Sequence, residues 1–184
     1  MLEINDSWFV HIDRGLLNGV IFIDLKNAFD TIDHEINPKK KLAKCGVDQD
    51  ALKWFKSYLI NRMQRCNVNS HLSRASLLHC GVPQGSIIGP LLFLSYINDL
   101  PNCLNVGSPR IYADDANVTF SAATIPDLES QINSDLKYID RWLKAKKLSL
   151  NVAKMEFMFI SSRQKLQSLN DYTTNIHINS VPIN

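Results

Sequence analysis

Residues 20–23 (Val-Ile-Phe-Ile) form an unbroken apolar run that stops at Asp24. This predicts a strand buried on both faces, with a carboxylate emerging at its C-terminal end. Over 48–62, Leu52, Trp54, Phe55, Tyr58 and Leu59 recur at helical spacing behind Asp48, a favourable N-cap, and predict a helix laid on a core. Over 64–80 the pattern breaks into Cys66, Val68 and Leu77-Leu78 separated by Asn, Ser and His, which predicts two short strands joined by a polar turn. Residues 86–100 are apolar nearly throughout. Pro90 falls in the first turn, where helical N–H groups lack an acceptor anyway, so a buried helix ending near Asn98-Asp99 is predicted. The segment RIYADDANVTF (110–120) has β-type residues on both sides of Asp114-Asp115 and reads as a hairpin with acids at its tip. Thr124 then caps a long helix whose apolar positions, Leu128, Ile132, Leu136, Ile139 and Leu143, step by three or four. Residues 157–160 and 176–178 read as later strands. No repeat or linker interrupts the order, which predicts an α+β fold with mostly antiparallel strands.

The chain has 184 residues, 45% of them apolar and 21% charged, the balance of a globular domain with one core. That excludes collagen-like, mucin-like and disordered classes. Lys and Arg number 20 against 18 Asp and Glu, a net charge of +2, so nucleic-acid binding cannot be argued from overall charge. The N-terminus carries Glu3 and lacks the basic start and apolar stretch of a signal peptide, so export is not expected. The most apolar segment, 90–97, is far short of the roughly 20 residues of a membrane-spanning helix, and no membrane span is expected. Cys45, Cys66, Cys80 and Cys103 show none of the close pairs of zinc or redox sites. They read as reduced thiols in or near the core.

Asp24 at a strand end and Asp114-Asp115 in a hairpin 90 residues later are the combination that calls for a chemical reason. Carboxylates brought together raise each other's pKa unless a divalent cation sits between them. Hard oxygen donors favour Mg²⁺, which binds through one or two carboxylates plus substrate phosphates. Taken singly, an Asp-Asp pair in a hairpin is also an ordinary turn device, and Asp24 serves equally well as a cap.

The company of these acids distinguishes the alternatives. VIFIDLKNAFDTIDH from Val20, GVPQGSIIGPLLFLSYINDLP from Gly81, IYADDANV from Ile111 and WLKAKKLSLNVAKMEFMFI from Trp142 follow one another in the order of four motifs. The sequence resembles, over about residue 10 to the C-terminus, the reverse transcriptases of non-LTR (LINE-like) retrotransposons. That resemblance implies a right-hand polymerase palm spanning 1–184 as one truncated domain. Its small antiparallel sheet would be backed by helices, with fingers and thumb largely missing. Residues 1–19 would form the edge towards the fingers, and 175–184 the start of the primer-grip region. The endonuclease region of the parent polyprotein would be absent too.

The same resemblance implies RNA-directed DNA synthesis: two Mg²⁺ ions, with Mn²⁺ as a substitute, serve an in-line transfer of deoxynucleotides onto a primer 3′-hydroxyl. The partners are an RNA template, a DNA primer and deoxynucleoside triphosphates, and work on chromosomal target DNA would require the nucleus. Asp24 and Asp114 would bridge both cations, while Asp115 is either a third ligand or an orienting group for the primer end. Leu25 would lie beside the nucleotide. Phe29, five residues after Asp24, is the sugar gate whose ring clashes with a ribose 2′-hydroxyl, or else a core residue behind Asp24. Pro83, Gln84 and Gly85 would form the template and nucleotide platform, flanked by Gly81. Tyr112 contacts the primer terminus or packs in the hairpin. Lys154 protonates the pyrophosphate leaving group, contacts phosphate or is simply solvated. The runs Lys39-Lys40-Lys41 with Lys44, and Arg141, Lys144, Lys146 and Lys147, track a phosphate backbone or form solvated faces. Asp30, Asp33 and His34 read as helix-start structure, and neither His34 nor His79 has a metal-binding partner set.

Departures from the family pattern are local. Ile36-Asn37-Pro38 falls where the family has a leucine-rich helix, and Pro38, which would break a helical hydrogen bond, weakens a helix over 34–46. Met155 replaces a common threonine, and Asn27 a common lysine. A catalytically inactive palm remnant that binds nucleic acid non-specifically is the alternative functional reading. A Mg²⁺ phosphohydrolase using Asp24 as nucleophile leaves residues 82–85 unexplained.

Overall fold

The computed structural model describes residues 2–34, 38–113, 115–167 and 172–183. Along the chain run α1 (Leu2–Asp13), β1 (Leu17–Ile23), α2 (Pro38–Lys44) and α3 (Gln49–Leu59). The short strands β2 (Met63–Gln64), β3 (Asn67–Val68), β4 (His71–Leu72) and β5 (Ser76–Leu77) follow, then α4 (Ile88–Ile97). After a 3-10 turn at Leu100–Cys103 come β6 (Ser108–Tyr112), β7 (Asp115–Ala122) and α5 (Ile125–Ala145). A second 3-10 turn, Val152–Lys154, leads into β8 (Glu156–Ile160), α6 (Arg163–Gln167), β9 (His177–Ile178) and β10 (Val181–Pro182). The architecture is α+β, and every strand pair among the described residues is antiparallel.

These elements gather into two compact units. One comprises 1–26, 99–145 and 149–184, the other 27–98 and 146–148. The first is built on a four-stranded sheet of order β6-β7-β1-β8. β1 lies inside it and is buried at every position except Phe22, as its unbroken apolar run predicts. α5 covers one face with the expected stripe, Leu128, Ile132, Leu136, Ile139 and Leu143, all buried. Gly19 permits that approach: a Cβ there would stand 3.0–3.2 Å from side-chain atoms of Phe157, Ile132 and Leu128. Thr124 caps α5 through the Asp127 N–H and its own hydroxyl donates to the Asp127 carboxylate at 2.6 Å. Across the sheet, α1 meets β1 where the Asn18 side chain bonds His11 Nδ1 at 2.6 Å and donates to the Trp8 and Ile160 carbonyls. Buried Asp135 of α5 accepts the N–H groups of Asn105, Val106 and Gly107, pinning the entry to β6.

The second unit packs α2, α3 and α4 around Ile32, Leu52, Leu92, Phe93 and Tyr96. Asp48 accepts from the Asp50 and Ala51 N–H groups, as its sequence position predicts. α4 is the expected apolar helix, although Leu91 and Leu94 face outward. α2 is described from Pro38 to Lys44. Ile36 and Asn37, where the sequence weakens a helix over 34–46, lie outside the described residues. The 64–80 segment is a two-step ribbon, β2 with β5 and β3 with β4, closed by a turn at Asn69-Ser70.

The cysteine expectation is corrected. Cys45, Cys66 and Cys80 are exposed, and only Cys103 is half-buried. Cys45 follows α2, Cys66 sits on the exposed ribbon and Cys80 lies at an isolated bridge with Asp33, all outside the packed faces. Among the described residues no helix is long and apolar enough to cross a membrane.

Candidate functional site

β1 and β7 pair from Leu17↔Ala122 to Ile23↔Ala116. Continuing that register by one step sets half-buried Asp24 across from exposed Asp115. On the other edge of β7, Asp115 pairs with Tyr112. Tyr112 and Asp115 thus share one row, which the extended register would continue to Asp24. Side chains alternate along a strand, and Gly19 faces α5, so this row belongs to the opposite face together with Phe22 and Asn117. That face opens at its acidic end, where Phe22 is 37% and Tyr112 85% exposed. Asp115 is the first residue of a strand rather than part of a hairpin tip. Ala113, which leaves β6, stands at φ 54°, a left-handed conformation that costs a residue with a Cβ about 1–2 kcal/mol. Such strain persists only where the surrounding sheet dictates it.

The other neighbour of β1 contributes a bulge. Phe22 pairs with Glu156, and Leu25 bridges Leu150, so 151–155 stand opposite only residues 23–24. The Asn151 N–H donates to the Asp24 carbonyl at 2.9 Å and the Lys26 N–H to the Ser149 carbonyl at 2.8 Å, fixing both sides of the bulge. Its 3-10 turn, Val152–Lys154, leaves Lys154 exposed and is followed by buried Met155. The sequence pattern contains no signal for this looping-out.

Directly opposed residues on adjacent antiparallel strands have Cβ atoms roughly 4.5–5.5 Å apart. Two carboxylates at that spacing on an exposed edge can share a hard divalent cation, with substrate phosphates completing its oxygen shell. The donor set therefore fits Mg²⁺ or Mn²⁺. Among the described residues no three of His, Cys, Asp and Glu gather into a metal site. Asp114, expected from sequence to be a ligand, lies outside the described residues.

The remaining predicted site residues belong to the second unit. Half-buried Phe29 packs on Phe93, ring centroids 4.9 Å apart. Its carbonyl accepts the Val82 N–H at 2.8 Å, and the Ile32 carbonyl accepts the Gly81 N–H at 2.8 Å, zipping 29–32 to the loop before α4. Gly81 sits at φ 86°, and a Cβ there would come within 3.0 Å of the Asp30 carbonyl, so both its conformation and its contact demand glycine. Gln84 donates its amide to the Asp30 carboxylate at 2.9 Å. Asp30, Gln64, Gly81, Pro83 and Gln84 contribute to a cleft of about 660 Å³, with Gly85 following at φ 79°. The sequence marks Asp30 only as helix-start structure, because its bond to Gln84 spans 54 residues and leaves no local pattern.

Several basic residues have protein partners. Lys41 donates to the Tyr96 carbonyl, Lys144 pairs with Asp140, and Lys147 pairs with Asp33. Lys146 lies over the Tyr96 ring and Arg141 over Tyr138. His34 Nε2 bonds the Gly81 carbonyl at 2.6 Å, a structural contact.

Known proteins supply the wider setting. The family described as reverse transcriptase (RNA-dependent DNA polymerase) matches residues 7–178. The probable RNA-directed DNA polymerase from transposon BS of Drosophila melanogaster is 32% identical over 154 residues, covering 77% of this chain and 16% of that protein. The probable RNA-directed DNA polymerase from transposon X-element of the same species is 28% identical over 138 residues, 73% of this chain and 15% of that protein. The RNA-directed DNA polymerase from mobile element jockey of Drosophila funebris is 28% identical over 143 residues, 74% of this chain and 15% of that protein. The matched chain thus spans about 16% of the length of these relatives. Among solved structures, an apo telomerase from Candida tropicalis truncated from its C-terminal domain matches with a TM-score of 0.60 at 12% identity. That match covers 88% of this chain and 36% of the telomerase, and is a likeness of fold.

Proposed function

The chain belongs to the reverse transcriptase family, and from that premise we propose that it forms the palm of a non-LTR retrotransposon polymerase and adds deoxynucleotides to a primer 3′-hydroxyl under the direction of an RNA template. The observation that carries this reading is the β1–β7 pairing, which ends at Ile23↔Ala116 beside both Asp24 and Asp115, with Tyr112 paired to Asp115.

In this reading Asp24, Asp114 and Asp115 would hold two divalent cations. Bound Mg²⁺ supplies a lowered pKa for the primer hydroxyl and a charge clamp on the triphosphate. Tyr112, largely exposed beside Asp115, lies against the primer terminus, where its flat ring orients the sugar. Lys154, exposed on the turn before β8, donates a proton to the departing pyrophosphate. Leu25, held by its bridge to Leu150, keeps the chain extended just past the acid. Phe29, fixed against Phe93, presents a ring to the nucleotide sugar and rejects a 2′-hydroxyl by overlap. Pro83, Gln84 and Gly85 form the base-pair platform, and the Asp30 carboxylate sets the orientation of the Gln84 amide.

Primer extension on an RNA template with a DNA primer, deoxynucleotides and Mg²⁺ tests this. Extension by the purified chain, reduced at least about 10³-fold in Asp24→Asn, is the expected result, since that change removes a charge from the cation site. Equal extension by the variant, or none by the parent, overturns the catalytic reading; in the latter case RNA affinity that falls steeply with salt would identify a binding remnant.

A further inference from the structure

Between Asp50 and Asp99 the sequence contains no Asp or Glu, while Lys53, Lys56, Arg62, Arg65 and Arg74 lie within it. This stretch lies inside the second unit. α3 buries Leu52 and Leu59, and its outward side carries a ladder at steps of four residues. The Trp54 and Tyr58 rings stack with centroids 5.5 Å apart and planes 14° from parallel. The Arg62 guanidinium lies 5.5 Å from the Tyr58 centroid and extends the ladder beyond the helix. Trp54 is 49% exposed. The Tyr58 hydroxyl is shut off from solvent with no hydrogen-bond partner among the described residues, so stacking rather than a polar anchor sets this ring. From Arg62 the chain enters the β2–β5 ribbon, where Met63, Val68 and Leu72 are about two-thirds exposed and Arg65 and Arg74 are exposed as well.

We propose that Trp54, Tyr58 and Arg62, with Arg65 and Arg74 of the ribbon, form a binding surface for unpaired nucleotides of a single-stranded nucleic acid. Every base has a flat face that can stack on an exposed tryptophan, so the recognition is tolerant of sequence. The cations attract phosphates, and the absence of carboxylates across 51–98 leaves nothing on this stretch to repel them. The ladder is already ordered by its own stacking, which lowers the conformational cost of capturing a base. A duplex offers base faces only at its ends and gains little from the ladder. The surface uses none of the residues assigned to cation binding or nucleotide addition.

The test is fluorescence anisotropy of the full 184-residue chain with an unstructured 15-nucleotide RNA, the matching DNA and a duplex of the same sequence, at fixed salt. Trp54→Leu is expected to weaken both single strands about 10-fold and leave the duplex unchanged, whereas Trp54→Phe, which keeps a ring, stays within about 3-fold of the parent. Arg62→Gln is expected to lower the slope of log affinity against log salt by about 0.7 for the single strands, a readout that holds even if Trp54→Leu does not fold. Unchanged single-strand affinity in folded Trp54→Leu, an equal loss on the duplex, or self-association of the parent that this change abolishes while RNA affinity persists would overturn the proposal. A chain that binds in this way but never extends a primer keeps this inference and refutes the catalytic one; a chain that extends while ignoring Trp54→Leu does the reverse.

Discussion

β1 and the 63–77 ribbon are both antiparallel β-structure, yet they are held by different forces. β1 has a partner on each edge, seven residue pairs with β7, and burial at all but one of its own positions. The ribbon has two pairs on each side of a one-residue offset, and its strands are exposed on both faces. In β1 a one-residue slip would turn every core side chain outward, so register is fixed by burial. In the ribbon that penalty is absent, and register depends on the turn, where Asn69 at φ 50° and Ser70 at φ 64° adopt the left-handed geometry of a tight hairpin. A charge that must be placed to within one residue step belongs on or beside the first kind of strand, as Asp115 at the start of β7 and Asp24 just past β1 are. A surface that must adapt to a flexible polymer belongs on the second.

Substitutions can test this contrast, beginning with the largest effect. Ile21→Ala, inside β1, should destabilise the chain by about 2–5 kcal/mol in denaturant unfolding, while Met63→Gln in the ribbon should stay within about 0.5 kcal/mol. Comparable losses at the two sites would remove the distinction. Asp135→Asn should cost about 1–3 kcal/mol, because an amide oxygen replaces a buried carboxylate that satisfies three backbone donors. A loss below about 0.5 kcal/mol in the same unfolding assay would show that the entry to β6 is not held by this group.

A pH effect of smaller size is expected at the β9–β10 hairpin. Burial pushes the Asp140 carboxyl up, but its bonds to Lys144 and Asn179 outweigh that and hold it below the ordinary 3.8. A lowered folded-state pKa adds stability that is fully present above 3.8 and disappears as pH falls through the lowered value. Amide-exchange protection around 177–182 should therefore drop in acid, and Asp140→Asn should flatten that drop. The smallest effect belongs to Ala113. Replacing it with Gly relieves the cost of φ 54° and should raise stability by about 0.5–1 kcal/mol, since Gly visits this region freely. A destabilising Ala113→Gly in thermal unfolding would mean that the turn is not strained.

Much of this architecture is legible in the sequence where burial and pattern coincide. The stripe on α5, the apolar run ending at Asp24 and the Asp48 cap each depend on neighbours within a few residues, and each forms as the pattern indicates. The cross-strand arrangement is less legible because it depends on register. Asp115 joins the strand rather than the turn since Tyr112 pairs with it, and Ala113 is a residue type that does not announce a left-handed turn. The bulge before β8 has no hydrophobic period, so nothing in the sequence marks the turn that exposes Lys154. Lys147 looks like a solvated charge until the fold brings it to Asp33, 114 residues away. The Cys expectation failed for a similar reason: small apolar side chains suit a core, but three of the four lie on loops or the ribbon.

The central claim is that Asp24, just past β1, and Asp115, at the start of β7, contribute to one shared divalent-cation site. Mn²⁺ binding followed by electron paramagnetic resonance, for the parent, Asp24→Asn, Asp115→Asn and the double variant, tests it most directly. Each single change is expected to weaken binding by about 10-fold or more, with the double variant little worse than either single, because the acids serve one site. Singles that bind as the parent does, or losses that simply add in the double variant, would contradict a shared site.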